Sequence, residues 1–590
     1  MEQLLNQKLN FIDQYIGASN AANGSKFDAN ANVSVKNIAT MATEIHKDIN
    51  IAINRRLMCQ MITELYDEDL AKEYMRQLES HEIYRHDETS LMPYCVSITM
   101  YPFLMNGLKA LGGESGPPKH LESFCGSFIN LVFAISSQFA GAVATVEFLT
   151  YFDHFARKDL GDNYLDTHAH IITQHFQHVV YTLNQPAAAR GYQSVFWNIS
   201  VYDRPYFESI FENFMFPGED EYVPPSWESV KKLQEFFLTW FNAEREKAVL
   251  TFPVITAGML VADGRPVDVE FEDMCANQLA NGNSFFIYES ESPDSLASCC
   301  RLRNEMKTNE FSHSSGAGGV ATGSTVVTTI NMNRLIQTGV DLAECVKKVQ
   351  KYNIAHRKIM EKYKAAGMLP VYDAGFITLD KQYLTIGING MVEAAEYLDI
   401  EPTNNEIYKK WVTSQLEVIY SLNRKASAET GYMFNTEFVP GESLGVKHAK
   451  WDSEDGLLVP RECYNSYFYP VEDESVNVVD KFVLHGSELN KFLDGGSALH
   501  LNLEESLTAA GFKQLIRLAA KTGCNYFCTN VKITICNECN HIDKRTLRTC
   551  SKCGSDNVDW ATRIIGYLKR VSSWSSGRQR EHMLRHYHRG

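Results

Sequence analysis

The grouping with the clearest chemistry is a set of four cysteines near the end of the 590-residue chain. Cys536 and Cys539, two residues apart, are followed after ten residues by Cys550 and Cys553 at the same spacing. Each pair can present two thiolates from a knuckle turn, and two knuckles complete a tetrahedral sulfur shell for zinc. Four protein ligands leave no open position, so the expected metal role is structural. Ten residues beyond Cys553 begins Arg563-Ile564-Ile565-Gly566-Tyr567, and Gly566 lies 24 residues before the last residue. By local rules Gly566 is a bulge or turn in an apolar stretch. Its other property is chemical. Removing one Cα hydrogen leaves a radical shared between amide nitrogen and carbonyl, and without a side chain that centre becomes planar without strain.

Two further stretches bring reactive side chains together. SLASCCRLRNE holds adjacent Cys299 and Cys300, which locally read as two small buried hydrophobes. HEIYRHDETSLMPYCVSITMYPFLMNG (81–107) holds His86, Asp87 and Cys95, and the His-Asp step is equally an ordinary core hydrogen-bonded pair. Leu384-Thr385-Ile386-Gly387-Ile388-Asn389-Gly390 runs from a strand into a helix start. Free N–H groups and the positive helix end favour anions there, and glycines admit phosphate oxygens. No G-x4-G-K-[ST] pattern occurs, so ATPase chemistry has no support.

Together these motifs resemble the glycyl radical enzymes, which carry R-[VI]-x-G-[YF] near the C-terminus. Within that group they resemble the class III, anaerobic ribonucleoside-triphosphate reductases, whose four-cysteine zinc module lies just upstream. The resemblance spans most of the chain and is strongest at scattered motifs. It implies a ten-stranded α/β barrel of two half-barrels, with Gly566 as the radical store and Cys300 as the thiyl radical that abstracts the ribose 3′ hydrogen. Cys95 would supply a hydrogen atom as the 2′ hydroxyl leaves as water. Asn331, in STVVTTINMNRL, would hydrogen-bond the reacting hydroxyl, and its presence leans towards the subgroup using formate as reductant. Glu442, in FVPGESL, matches a Pro-x-Glu loop and would handle protons or support the site. Gly387, Asn389, Gly390 and His86 match substrate-binding positions. Tyr84 stands where relatives often have histidine, a departure that puts a shared acid-base role there in doubt.

The resemblance further implies nucleotide effectors, a homodimer and a radical-SAM iron–sulfur activating enzyme that installs the radical on Gly566. About 80 residues precede the His-Asp segment and include the core's own ANANV opening (Ala29 to Val33), so no N-terminal ATP-cone is expected. Two alternatives stand beside it. The pair Cys299-Cys300 suits a pyruvate formate-lyase-like acyltransferase, although such relatives lack the zinc module and the Cys95 segment. The zinc module, flanked by Lys544, Arg545, Arg548, Arg563, Lys569, Arg570, Arg578 and Arg580, suits a zinc-ribbon protein that binds nucleic acid.

These residues need a large scaffold, and the composition provides one, with 44% hydrophobic and 22% charged residues. A net charge of -16 opposes a protein whose main task is coating phosphates. Short β-branched or aromatic runs at 248–259, 282–290, 324–332 and 380–390 read as strands, and 344–368 reads as a long amphipathic helix. Strand and helix alternating at this spacing indicate a layered or barrel α/β fold. Residues 120 to 250 read as mostly helical, with the apolar run Phe128 to Thr150 as a buried helix. Ile38, Met41, Ile45, Ile49 and Ile53 mark an earlier helical stretch, and the loop or lid AANGSKFDANANVS precedes it. The expected division is a core over 1–532, the zinc module over 533–556, and a radical loop and tail over 557–590. The N-terminus lacks signal-peptide features, and no stretch reaches the roughly 18 apolar residues of a membrane span, so reduced cysteines and a cytoplasmic setting are expected.

Overall fold

The computed structural model describes residues 2–25, 35–186, 193–217, 222–293, 295–298, 302–305, 320–439, 441, 443–564 and 566–589. Cys299, Cys300, Glu442 and the stretch Ala29 to Val33 lie outside the described residues.

Among the described residues, ten strands form the frame. The first five are β1 (Cys95–Ser97), β2 (Val143–Ala144), β3 (Trp197–Tyr202), β4 (Val254–Ala262) and β5 (Phe286–Ser290). They lie side by side in chain order, all parallel. Next come β6 (Thr322–Asn331), β7 (Gln382–Asn389) and β8 (Phe434–Phe438), also parallel. The parallel pair β9 (Leu499–Leu503) and β10 (Tyr526–Val531) completes the frame. Glu437 of β8 makes a parallel bridge to Gly496, just ahead of β9, and the Phe438 N–H donates to the Gly496 carbonyl at 3.1 Å. Strands β6 to β10 therefore run one way as a second set of five. The two sets meet antiparallel at two seams, β1 against β6 and β5 against β10.

Parallel strands are covered on both faces and so read as continuous apolar or β-branched runs. All ten residues of β6 and all six of β3 are buried. At the β1–β6 seam the backbones approach so closely that a Cβ on Gly323 would lie 2.3 Å from the Cys95 carbonyl oxygen, so glycine is needed there. Covering helices include α1 (Leu121–Ser136), α2 (Leu342–Ala365), α3 (Met391–Tyr397), α4 (Leu444–Glu454) and α5 (Ser576–Leu584). Asp341 caps α2 by accepting from the Glu344 N–H at 2.8 Å.

Two local readings are corrected. The apolar run from Phe128 to Thr150 is not one helix: α1 stops at Ser136, β2 follows, and a new helix begins at Phe148. Ser137 Oγ and Gln138 Nε2 both donate to the Ala134 carbonyl, at 2.7 and 3.3 Å, offering the backbone a way out of the helix. The stretch from Val35 is helical, but its buried side is Ile51, Met58, Met61 and Ile62, while Ile38 and Ile53 are exposed. No helix among the described residues is long and apolar enough to cross a membrane.

The C-terminal sheet contains β11 (Ile533–Cys536), β12 (Ile542–Asp543), β13 (Val558–Arg563) and β14 (Leu568–Arg570), in the order β12-β11-β13-β14. It does not end at residue 556. The strand that ends at Cys536 and the strands flanking Gly566 belong to one sheet.

Candidate functional site

Gly566 lies in the turn between β13 and β14, where Arg563 pairs with Leu568. It is buried with φ at +86°, a region that disfavours side chains. Its N–H donates to His500 Nε2 on β9 at 3.2 Å, and its carbonyl accepts from Arg563 Nη1 at 2.6 Å. An imidazole accepting at Nε2 must be unprotonated there, so this bond selects the neutral ring. Both groups over which a Cα radical would delocalise are therefore held by named side chains.

The neighbouring Tyr567 ring packs against Phe196 at 5.1 Å and Phe252 at 5.6 Å. Phe196 also packs on the small cluster of Cys95, Ala142 and Ala144, together with Tyr94 and Tyr383. The Cys95 side and the Gly566 side of the interior thus share one aromatic wall. Cys95 is 8% exposed.

Helix α5 fastens the turn from behind. Arg585 donates to the carbonyls of Arg563 and Ile564 at 3.0 and 3.1 Å, while Arg578 donates to the Gly441 carbonyl at 2.5 Å. Glu581 accepts from both arginines. Burial opposes its charge, yet Arg585 and Arg578 outweigh that cost and hold the carboxyl at about 2. A buried acid between two arginines ties the Gly566 turn to Gly441, the neighbour of Glu442.

At the ends of β6 and β7 the asparagines are already engaged. Asn331 donates from Nδ2 to Asp452 at 3.0 Å and accepts at Oδ1 from the Arg334 N–H at 3.2 Å. Asn389 Oδ1 meets His448 Nδ1 at 2.9 Å, and its Nδ2 donates to the Asn465 carbonyl at 3.3 Å. His448 is fully buried and its Nε2 has no hydrogen-bond partner; burial, then the charges of His86 and His81, pushes it well below the ordinary histidine range. Gly390, at φ +78°, precedes α3, whose first turn carries Glu393 paired with Arg461 at 2.8 Å. A Cβ on Gly387 would lie 2.4 Å from Thr329 Oγ1, and His86 Nε2 meets that same hydroxyl at 2.8 Å.

The four cysteines converge. Their sulfurs lie within 4.8 Å of one another, with Cys536–Cys553 and Cys539–Cys550 each 3.6 Å apart. A zinc–sulfur distance of about 2.3 Å gives tetrahedral edges of about 3.8 Å, so this donor set fits zinc. The Cys539 N–H points at Cys536 Sγ, and the Lys552 and Cys553 N–H groups point at Cys550 Sγ, at 3.4 to 3.5 Å.

Residues 44–588 match the model of the anaerobic ribonucleoside-triphosphate reductase family. The chain belongs to this family. A solved anaerobic ribonucleotide reductase is 28% identical, with 100% of this chain and 93% of that one covered and a TM-score of 0.86. The Thermotoga maritima anaerobic ribonucleotide reductase with glycerol in its active site is 30% identical over 92% of this chain and 90% of that one, TM-score 0.81. The same enzyme in complex with dATP and CTP is 28% identical over 98% of each chain, TM-score 0.82. No protein of curated function matches the sequence.

The chain is thus an oxidoreductase of the ribonucleotide reductase type, and its family implies glycyl radical chemistry. Family membership sets aside the acyltransferase reading and the zinc-ribbon reading. The basic tail agrees: Arg563, Lys569 and Arg578 are buried, and Arg580 pairs with Glu462, so these residues form no open phosphate-binding surface. The structure sets Tyr567, next to Gly566, and the Cys95 cluster against the same Phe196, and gathers Asn331, Asn389, Gly390, Gly387 and His86 at the ends of β6 and β7. It also adds His500, Arg585, Glu581 and His448. A lone histidine in SALHLNL carries no spacing signal; only the placement of β9 beside the turn reveals His500.

Proposed function

We propose that this reductase converts ribonucleoside triphosphates to deoxyribonucleoside triphosphates with Gly566 as the radical store, Cys300 as the thiyl relay and Cys95 as the hydrogen donor. The supporting observation is the Gly566 turn: it is buried, its amide and carbonyl are held by His500 and Arg563, and it shares Phe196 with Cys95. The Cys300 thiyl takes the 3′ hydrogen, the 2′ hydroxyl leaves as water, and Cys95 donates a hydrogen atom to C2′. Formate then returns a hydrogen atom to the Cys95 sulfur and passes the second electron, with a proton, to the 3′ position as carbon dioxide forms. Return of the 3′ hydrogen then regenerates the relay.

Because the side chains of Asn331 and Asn389 are engaged by Asp452, Asn465 and His448, we assign them to holding the wall of the substrate site. Gly387 and Gly390 let that wall approach the nucleotide phosphates, His86 at its edge handles protons, and Glu442 is assigned the same role from its Pro-x-Glu motif. Zinc on Cys536, Cys539, Cys550 and Cys553 fixes the sheet that carries Gly566. A radical-SAM activating enzyme installs the radical, and nucleotide effectors act on a homodimer; the dATP and CTP bound to the Thermotoga maritima relative support the nucleotide part. Formate is the electron source, supported by the burial of Cys95.

The test is anaerobic turnover of labelled nucleoside triphosphate after treatment with the activating enzyme, with electron paramagnetic resonance (EPR) recorded in parallel. A glycyl doublet with deoxynucleotide product is expected. A doublet with no product would defeat the assigned reaction, and product formation by Gly566→Ala would defeat the assigned radical site.

A further inference from the structure

The junction between the C-terminal sheet and the strand frame encloses a cavity of about 710 Å³, with Arg245 and Arg563 in its wall. Both arginines are buried, at 8% and 3% exposure. They meet at one residue: Arg245 Nη1 donates to the Ser284 carbonyl and Arg563 Nη2 to the Ser284 hydroxyl, each at 3.0 Å. Each guanidinium lies over a ring, Arg245 at 4.8 Å from Phe241 and Arg563 at 4.6 Å from Phe286. Both Nε atoms are buried without an acceptor, and among the described residues no ion pair joins either arginine to a carboxylate.

The other cations lining this cavity are matched. Lys544 pairs with Glu246 at 2.7 Å, Arg545 with Asp543 at 2.8 Å, and Arg589 with Glu504 at 3.0 Å. Two like charges buried side by side without a counter-ion are costly, and ring stacking offsets only part of that cost. Burial, with the Arg563 charge beside it, draws Arg245 down to about 9. The carboxylates that line the cavity, Glu504 and Glu505, are exposed, whereas the two unmatched arginines are buried, so the interior wall of the cavity is the cationic one.

We propose that this cavity binds a phosphate-bearing small molecule, with Arg245 meeting its phosphate and Arg563, whose amino groups are taken by Gly566 and Ser284, adding its positive charge beside it. Guanidinium groups present planar forks that match phosphate oxygens, and two together suit a dianion. The volume exceeds what a bare phosphate fills and falls within the roughly 300–1,000 Å³ of small-molecule sites, which suits a mononucleotide. The site is separate from the β7 turn. It is nonetheless coupled to Gly566, because Arg563 spends its other amino group on the Gly566 carbonyl.

Equilibrium dialysis of the full chain against inorganic phosphate and against AMP, at ionic strength held by chloride, tests this. Saturable binding is expected, weakened about tenfold or more in Arg245→Gln, since hydrogen bonds to charged groups carry about 1.5–3 kcal/mol. Lys544→Gln, whose charge Glu246 already matches, should bind like the unmodified chain. AMP binding tighter than phosphate identifies a nucleotide as the ligand, and equal binding identifies the phosphate group alone. Zinc content and circular dichroism check the fold of Arg245→Gln. If it does not fold, Arg245→Lys and a phosphate-specific rise in the melting temperature of the unmodified chain take its place. No saturable binding of either probe, or binding unchanged in Arg245→Gln, overturns the proposal.

Discussion

Gly566 is held at both atoms that would share an unpaired electron, and this makes its immediate neighbours testable. Gly566→Ala should abolish the EPR doublet and all turnover. Placing a side chain at φ +86° should cost about 1–2 kcal/mol, which leaves the fold intact against a total of roughly 5–15 kcal/mol. Cys300→Ser should keep the doublet and lose turnover; measurable product would reassign the relay, with Cys299 next in line. His500→Leu removes the acceptor of the Gly566 N–H. It should shorten the lifetime of the doublet or alter its splitting, and His500→Gln should restore it in part. The zinc cysteines were legible because their spacing is itself the chemistry. His500 was not, because its role arises only when β9 lies beside a turn 66 residues further along the chain.

At the scale of elements, helix α5 and the C-terminal sheet hold the same turn from two sides. Glu581 joins Arg578 and Arg585, so Glu581→Gln leaves two buried arginines with less compensation and should cost about 3–5 kcal/mol, read from denaturant midpoints. Its carboxyl lies at about 2 when folded against an ordinary 4.5. Its stabilising contribution is therefore complete above about 4.5 and is lost as the pH falls from there towards 2. An acid titration of amide exchange in α5 follows that loss directly, and Glu581→Gln should remove this pH dependence. Helices and long strands were legible from periodicity, as with α2 and β6. The buried face of the Lys47–Leu65 helix was not, because tertiary packing chose Ile51, Met58 and Ile62 over Ile53. β1 and β2, at three and two residues, are too short for any periodic signal.

Over the described residues, two parallel five-strand sets meet antiparallel at two seams, and both Cys95 and Gly566 are buried. The alternating β and α texture made the fold class legible, but the seam between β1 and β6 was not, because Gly323 acts through close approach to the Cys95 backbone rather than through pattern. This burial bears on how electrons arrive. In the proposed cycle each turnover draws two electrons, and a protein dithiol supplying them would have to bring its own sulfur within bonding distance of Cys95 or Cys300. Cys95 is 8% exposed, in a small cluster against which Tyr94, Phe196 and Tyr383 pack, which favours a small diffusible donor. Formate satisfies the balance: nucleotide, formate and one proton give deoxynucleotide, carbon dioxide and water, with two electrons passing from formate to the substrate. Carbon-13 formate should therefore yield labelled carbon dioxide in a one-to-one ratio with deoxynucleotide. Turnover sustained by a thioredoxin-type dithiol with formate rigorously removed would show that the buried Cys95 becomes accessible, and would assign the electrons to a protein donor instead.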